Sequence, residues 1–157
     1  RFNCIPDTAF GYNPYGEQLF MTPGRLTWVN QYNHIVRQID IDERPAAARP
    51  APTPSYTGTS RGHWDGDTLV VATTGFRAIQ VRGVPSDGKV QRIVERIRLV
   101  EDGKMLERQV HMEATRADGT PIETDSVARY KPEPGQHIAE YICEDGAGYF
   151  EEAEALQ

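Results

Sequence analysis

The stretch from Ser60 to Phe76, SRGHWDGDTLVVATTGF, joins a polar, glycine-containing turn to a strand. Asp65-Gly66-Asp67 has the composition of a tight hairpin turn. Gly66 takes positive φ without steric cost, and the flanking carboxylates accept backbone N–H bonds. Thr68 to Thr73 then supplies the short β-branched, apolar run of a strand packed on a core. His63, Trp64, Asp65 and Asp67 are gathered around this one turn, where they either line a site or close a hairpin.

The same alternation extends in both directions. Apolar residues recur mostly with period two and rarely at helical spacing, which predicts strands over 17–22, 25–31, 34–41, 68–73, 91–100, 105–115, 122–130 and 136–143. Pro23-Gly24, Tyr32-Asn33, Asp102-Gly103, Asp118-Gly119 and Pro132 to Gly135 separate them with residues that tolerate turn backbone. About eight antiparallel strands in meander order predict an all-β, up-and-down barrel, which removes sheet edges by closing on itself. Residues 45–54 hold four prolines and four alanines and read as an extended surface connection, and 150–157 form an acidic tail.

The chain of 157 residues suits a single domain spanning 1–157. Its formal net charge is −6, with 17 basic residues dispersed among 23 acidic ones. That is no footprint for nucleic acid or an anionic membrane. No apolar run approaches the ~20 residues of a membrane helix, so no membrane insertion is expected. The first residue is Arg1 rather than Met, which fits a chain that has lost a leader. Cys4 and Cys143 lie near opposite ends, without a CxxC or Cys/His cluster, so the reading is a disulfide tying the ends of an exported protein rather than a metal site; two separate buried thiols are the alternative.

Alternation assigns each strand an inner face, and ionisable groups on an apolar face are the anomalies that matter. Arg37 shares a face with Ile35, Ile39 and Ile41. Glu95 shares one with Ile93, Ile97 and Leu99, and Glu140 lies between Ile138 and Ile142. An unpaired charge in an apolar interior costs several kcal/mol, so Arg37 is expected to meet Glu95 or Glu140 unless the interior is wet. Two readings follow. The groups form a buried ion pair that fixes register, or they line a cavity in which Glu95 or Glu140 acts as general acid or base while Arg37 orients a substrate oxygen.

Among the histidines, His63 beside Trp64 at a rim is the one placed for proton transfer, His34 opens a strand, His111 faces solvent and His137 is peripheral. Trp64 is core or a pocket wall, and the Tyr141 hydroxyl reaches a cavity or a backbone group. His34, His63, Trp64, Asp65 and Tyr141 are therefore the candidate ligand-binding residues. No nucleophile elbow, P-loop, zincin helix or dinucleotide fingerprint is present, so no organic cofactor or metal is expected. A metal site from His63, Asp65 and Asp67 is weaker than simple turn hydrogen bonding.

Four runs carry a resemblance: Tyr32 to Asp42 (YNHIVRQIDID), Gly62 to Val71 (GHWDGDTLVV), Val94-Glu95-Arg96, and Glu140 to Glu144 (EYICE). Together they resemble a large group of exported bacterial proteins of uncharacterised function that share a GRWEGDTLVV-type motif. The resemblance implies a calycin/lipocalin-like barrel and a periplasmic or secreted location. It brings no activity with it. The chain departs from the pattern at Asp40, usually aromatic, at Glu43, usually Gly, at Asp65, usually Glu, and at Asp145-Gly146, usually Glu-Asn.

Three functions fit these residues. One is a cofactor-independent lyase, isomerase or hydrolase acting on a small apolar or aromatic molecule in the barrel. Another is a non-catalytic module binding such a molecule. The last is a structural domain with a closed interior ion-pair network.

Overall fold

The computed structural model describes residue 10 and residues 15–42, 53–77 and 84–141. Eight strands make one sheet in chain order: β1 (Glu17–Thr22), β2 (Arg25–Asn30), β3 (Ile35–Ile41), β4 (Thr59–Asp65), β5 (Thr68–Thr74), β6 (Lys89–Val100), β7 (Met105–Thr115) and β8 (Pro121–Tyr130). The sheet curls into a half-barrel rather than a demonstrated closed one, with β1 and β8 at its two edges.

Seven of these eight strands lie where the alternation placed them, to within two residues at either end. Along β6, Val90, Ile93, Glu95 and Ile97 turn inward and are buried, while Arg96 and Arg98 face solvent. The register shifts between Val90 and Arg92, and that irregularity puts Ile93 back on the inner face after two exposed residues. At the β4–β5 hairpin Asp65 pairs with Thr68, and Gly66 holds φ +62°, the conformation the turn requires.

Two expectations are corrected. Among the described residues the strands number eight, as expected, but one of them differs. Thr59–Asp65 is a strand that the alternation test passed over, because its buried inward positions are Ser60 and Gly62 rather than apolar side chains. A Cβ on Gly62 would stand 3.1 Å from Leu69 Cδ1 and 3.4 Å from Ile39 Cγ2, so a larger residue would crowd the facing core. Conversely, 136–141 of the expected last strand are irregular, and 142–143 lie outside the described residues. Pro132 and Pro134 precede that stretch and Gly135 holds φ +85°, all poor starts for a ladder.

The meander is also interrupted once. β4 lies beside β3 in parallel, with Ile39 opposite Ser60 and Ile41 opposite Gly62. Every other neighbouring pair is antiparallel. A parallel neighbour needs a crossover connection, and the proline-rich run lies between the two strands in sequence; its residues 45–52 lie outside the described ones. Cys4, Cys143 and the acidic tail 150–157 also lie outside the described residues.

The interior has three levels. At one end Phe10, Ile35, Phe76, Val90, Ile93, Val110, Met112 and Ala114 pack together, with Phe10 and Phe76 edge to face at 5.4 Å. At the other end Leu26, Trp28, Ile39, Leu69, Val71 and Ile97 form a second apolar cluster, flanked by Ile41, Leu106 and Tyr130. Between them sits a layer of charge. Trp28 on β2 meets Tyr130 on β8 at 6.0 Å between ring centroids, so the second and last strands face each other across the inside of the curl.

Candidate functional site

The polar layer is built by inward positions on five strands. Arg37 comes from β3, Ser60 from β4, Thr73 from β5, Glu95 from β6 and Arg108 from β7, and all five are buried. Arg37 and Glu95 do meet, as their shared faces require. Arg37 Nη1 donates to Glu95 Oε1 at 3.0 Å, and Arg37 Nη2 donates to Oε2. Arg108 Nε donates to the same Oε1 at 2.7 Å.

The rest of the guanidinium of Arg37 is tied as firmly. Its Nε donates to Ser60 Oγ at 2.8 Å and its Nη2 to Thr73 Oγ1 at 2.8 Å, while the two hydroxyls lie 2.9 Å apart. Phe10 lies under its face at 4.5 Å. Arg108 stacks over Trp28 at 5.0 Å and donates from Nη1 to the Tyr130 hydroxyl at 3.3 Å. The two cations in this layer thus keep both polar partners and aromatic faces, which is how a buried guanidinium is made tolerable.

Charge is nearly balanced. Glu17 on β1 accepts from Trp28 Nε1 at 2.7 Å and from Asn30 Nδ2 at 3.3 Å, and its negative field reaches Arg108. Two guanidiniums therefore face Glu95 and, from the edge strand, Glu17. Burial on its own pushes the Glu95 carboxyl up, but Arg37 and Arg108 outweigh it and hold the group below the ordinary carboxylate range. Arg108 is likewise kept charged: burial works against its cation, and Glu95 and Tyr130 more than offset that.

This arrangement is poor acid–base machinery. A general acid or base works best with its pKa near the working pH and with an oxygen turned toward a substrate. Glu95 has neither: it is fully buried, at 0% exposure, both oxygens are engaged, and its pKa moves away from neutrality.

The remaining sequence candidates fall into separate places. Glu140 is not on an inner face; it is exposed in the irregular segment after β8 and does not join Arg37. His34 ends a short 3₁₀ turn and is exposed, and its Nε2 accepts the backbone N–H of Tyr141 at 3.1 Å, so these two candidates bind each other. His63 and Asp65 face outward near the β4–β5 hairpin, and Asp65 pairs with Arg96 at 2.9 Å. Trp64 shares the inward-facing register of Ser60 and Gly62, pairing with Leu69, yet is 50% exposed at the rim. Among the described residues, no group of three or more His, Cys, Asp or Glu side chains is placed to hold a metal ion.

Arg108 escaped the sequence reading although its signal was present. On β7 the inward positions are Leu106, Arg108, Val110, Met112 and Ala114, an apolar face with one charge, just as β3 and β6 have. Glu17, Ser60, Thr73 and Tyr130 carried no such mark, since each is ordinary on a strand until its neighbours are known.

On the outer face, a shallow depression of about 360 Å³ lies over β6, β7 and β8, bordered by Val94, Arg96, Gln109, His111, Asp125 and Val127. His111 Nδ1 is 2.9 Å from Asp125 Oδ1, and this bond raises the imidazole pKa above its ordinary value. Nearby, Glu107 lies beneath Arg98 and Arg129, whose hydrogen bonds hold its carboxyl below the usual range.

No family model, curated protein or solved structure matches this chain. Its reading rests on the geometry.

Proposed function

We propose that this domain is a non-catalytic module that binds a small apolar or aromatic molecule at the open end of its curled sheet. The observation that carries this reading is a rim of inward-facing apolar side chains left exposed. Met21 pairs with Leu26, Trp64 with Leu69 and Leu99 with Leu106, each on the inner face near the Tyr130 end of the sheet. Their exposures are 53%, 50% and 63%. Beneath them lies the buried floor of Leu26, Ile39, Leu69 and Ile97. Soluble domains seldom leave several large apolar groups grouped at one concave end without a partner.

The layer formed by Arg37, Glu95 and Arg108 then serves as the base of this cup, a closed ion network that fixes how the strands register. The resemblance to exported bacterial proteins supports a periplasmic or secreted place of action, and a closed calycin-like barrel is the finer form of fold that this reading favours. Against the enzymatic alternative stands Glu95, both of whose oxygens are engaged by Arg37 and Arg108.

Titration with N-phenyl-1-naphthylamine, an uncharged aromatic probe, tests the reading. Saturable binding with a change in Trp64 emission is expected, and Leu99→Lys is expected to weaken it by about tenfold, equivalent to losing the burial of one apolar side chain. Absence of saturable binding, or equal affinity in Leu99→Lys and Trp64→Ala, would overturn it.

A further inference from the structure

After Tyr130 the chain does not form another strand. Residues 131–141 carry it from the end of β8 to Tyr141, beside the start of β1. There four rings gather. Tyr15, just before β1, stacks on Tyr32 at 5.4 Å, and Tyr141 lies 5.6 Å from Tyr15 and 4.9 Å from Tyr32. The His34 ring stands edge-on to Tyr141 at 6.5 Å, and its Nε2 accepts the Tyr141 backbone N–H at 3.1 Å.

We infer that His34 is a proton-operated latch that fastens the 131–141 strap, which leaves the end of β8, to the turn that joins β2 to β3. The direction of this hydrogen bond decides the matter. A backbone amide only donates, so Nε2 must present its lone pair and the ring must be neutral, with its proton on Nδ1. An imidazolium has two N–H donors and no acceptor. Protonation therefore removes the hydrogen bond and turns one donor against another.

The position of the ring is built rather than incidental. His34 holds a left-handed backbone, φ 46°, at the last residue of the turn that joins β2 to β3. Such a conformation is disfavoured for a side chain with a Cβ and persists where its surroundings hold it. Here it delivers the ring to a residue 107 positions away in sequence. Among the described residues, the titratable side chains gathered around the ring are the phenols of Tyr15, Tyr32 and Tyr141. Glu140 is the carboxylate next to Tyr141 on the strap, and it is exposed.

Acidification thus loosens the strap at its far end while leaving the buried ion layer intact. The consequence is a strap held more tightly in neutral than in mildly acidic surroundings, independent of what the open end of the sheet binds.

Amide hydrogen exchange at Tyr141, referenced to the intrinsic rate, measures the latch directly. Protection is expected to fall roughly fivefold between about pH 8 and about pH 5, the loss of one hydrogen bond once the ring carries a second proton. His34→Gln keeps an acceptor at every pH and should flatten the dependence. His34→Ala should give low protection at both ends. Equal protection of the unaltered protein at the two pH values would overturn the latch, as would the same pH dependence in His34→Gln.

Discussion

Arg108 Nε and Arg37 Nη1 donate to one and the same oxygen of Glu95, at 2.7 and 3.0 Å, in the centre of a sheet with apolar clusters on either side. Three strands are joined by that oxygen. Their registers cannot slip by one residue without sending a guanidinium or the carboxylate to the solvent face and an apolar set with it.

Removing the shared anion should be severe. Glu95→Gln leaves two buried guanidiniums facing each other, and breaking such a network costs about 3 to 5 kcal/mol. Urea denaturation should show the midpoint falling steeply, whereas a change smaller than about 1 kcal/mol would mean the interior is more solvated than its burial implies. Replacing all three groups, as Arg37→Met, Glu95→Leu and Arg108→Met together, should restore most of the loss, since apolar groups of similar volume are often neutral or stabilising at such positions.

Acid should act through the same carboxylate. The folded pKa of Glu95 is depressed, so its stabilising contribution is complete above the unfolded value, about 4.3, and is lost as pH falls below that toward the folded value. Stability measured against pH should decline in acid, and the decline should be shallower in the triple apolar variant. Identical slopes would assign the acid transition to other groups.

His111 should show the opposite sign. Its folded pKa is raised by Asp125, so its contribution is present below the unfolded value, about 6.5, and disappears as pH rises through the folded one. NMR titration should show the His111 midpoint move down in Asp125→Asn. A midpoint that stays put would mean that the 2.9 Å contact is not kept in solution.

The hairpin turn offers a test of backbone alone. Gly66 has φ +62° and nothing within 4 Å of where a Cβ would sit. Gly66→Ala should therefore cost about 1 kcal/mol through conformation rather than crowding, and Gly66→Asn less, because Asn tolerates the left-handed region. Thermal unfolding of the two variants compares them, and equal melting temperatures for Ala and Asn would count against this turn geometry.

How much of this was legible in the sequence depended on whether one strand's pattern sufficed. Inward Arg37 and Glu95 stood out as charges among isoleucines, and their meeting follows from the cost of leaving either alone. Arg108 bore the same mark on β7. Thr59–Asp65 did not, because a strand whose buried inward positions are serine and glycine looks like a loop until its neighbours crowd it. Glu140 misled for the converse reason: isoleucines on either side suggested a strand, while Pro132, Pro134 and the positive φ of Gly135 had already turned the chain away from one. The exposed rim of Met21, Trp64 and Leu99 was beyond reach, since alternation tells which way a side chain points and not whether the sheet closes over it.

The central claim is that Glu95 is a permanently ionised structural anion and takes no part in proton transfer. The ¹³C carboxyl resonance of Glu95, followed in the folded protein from about pH 5 to about pH 9, tests it most directly, since an unpaired buried carboxyl would titrate within that range. The resonance should stay at its ionised position throughout. A midpoint anywhere in that interval would contradict the account and return Glu95 to the list of working acids and bases.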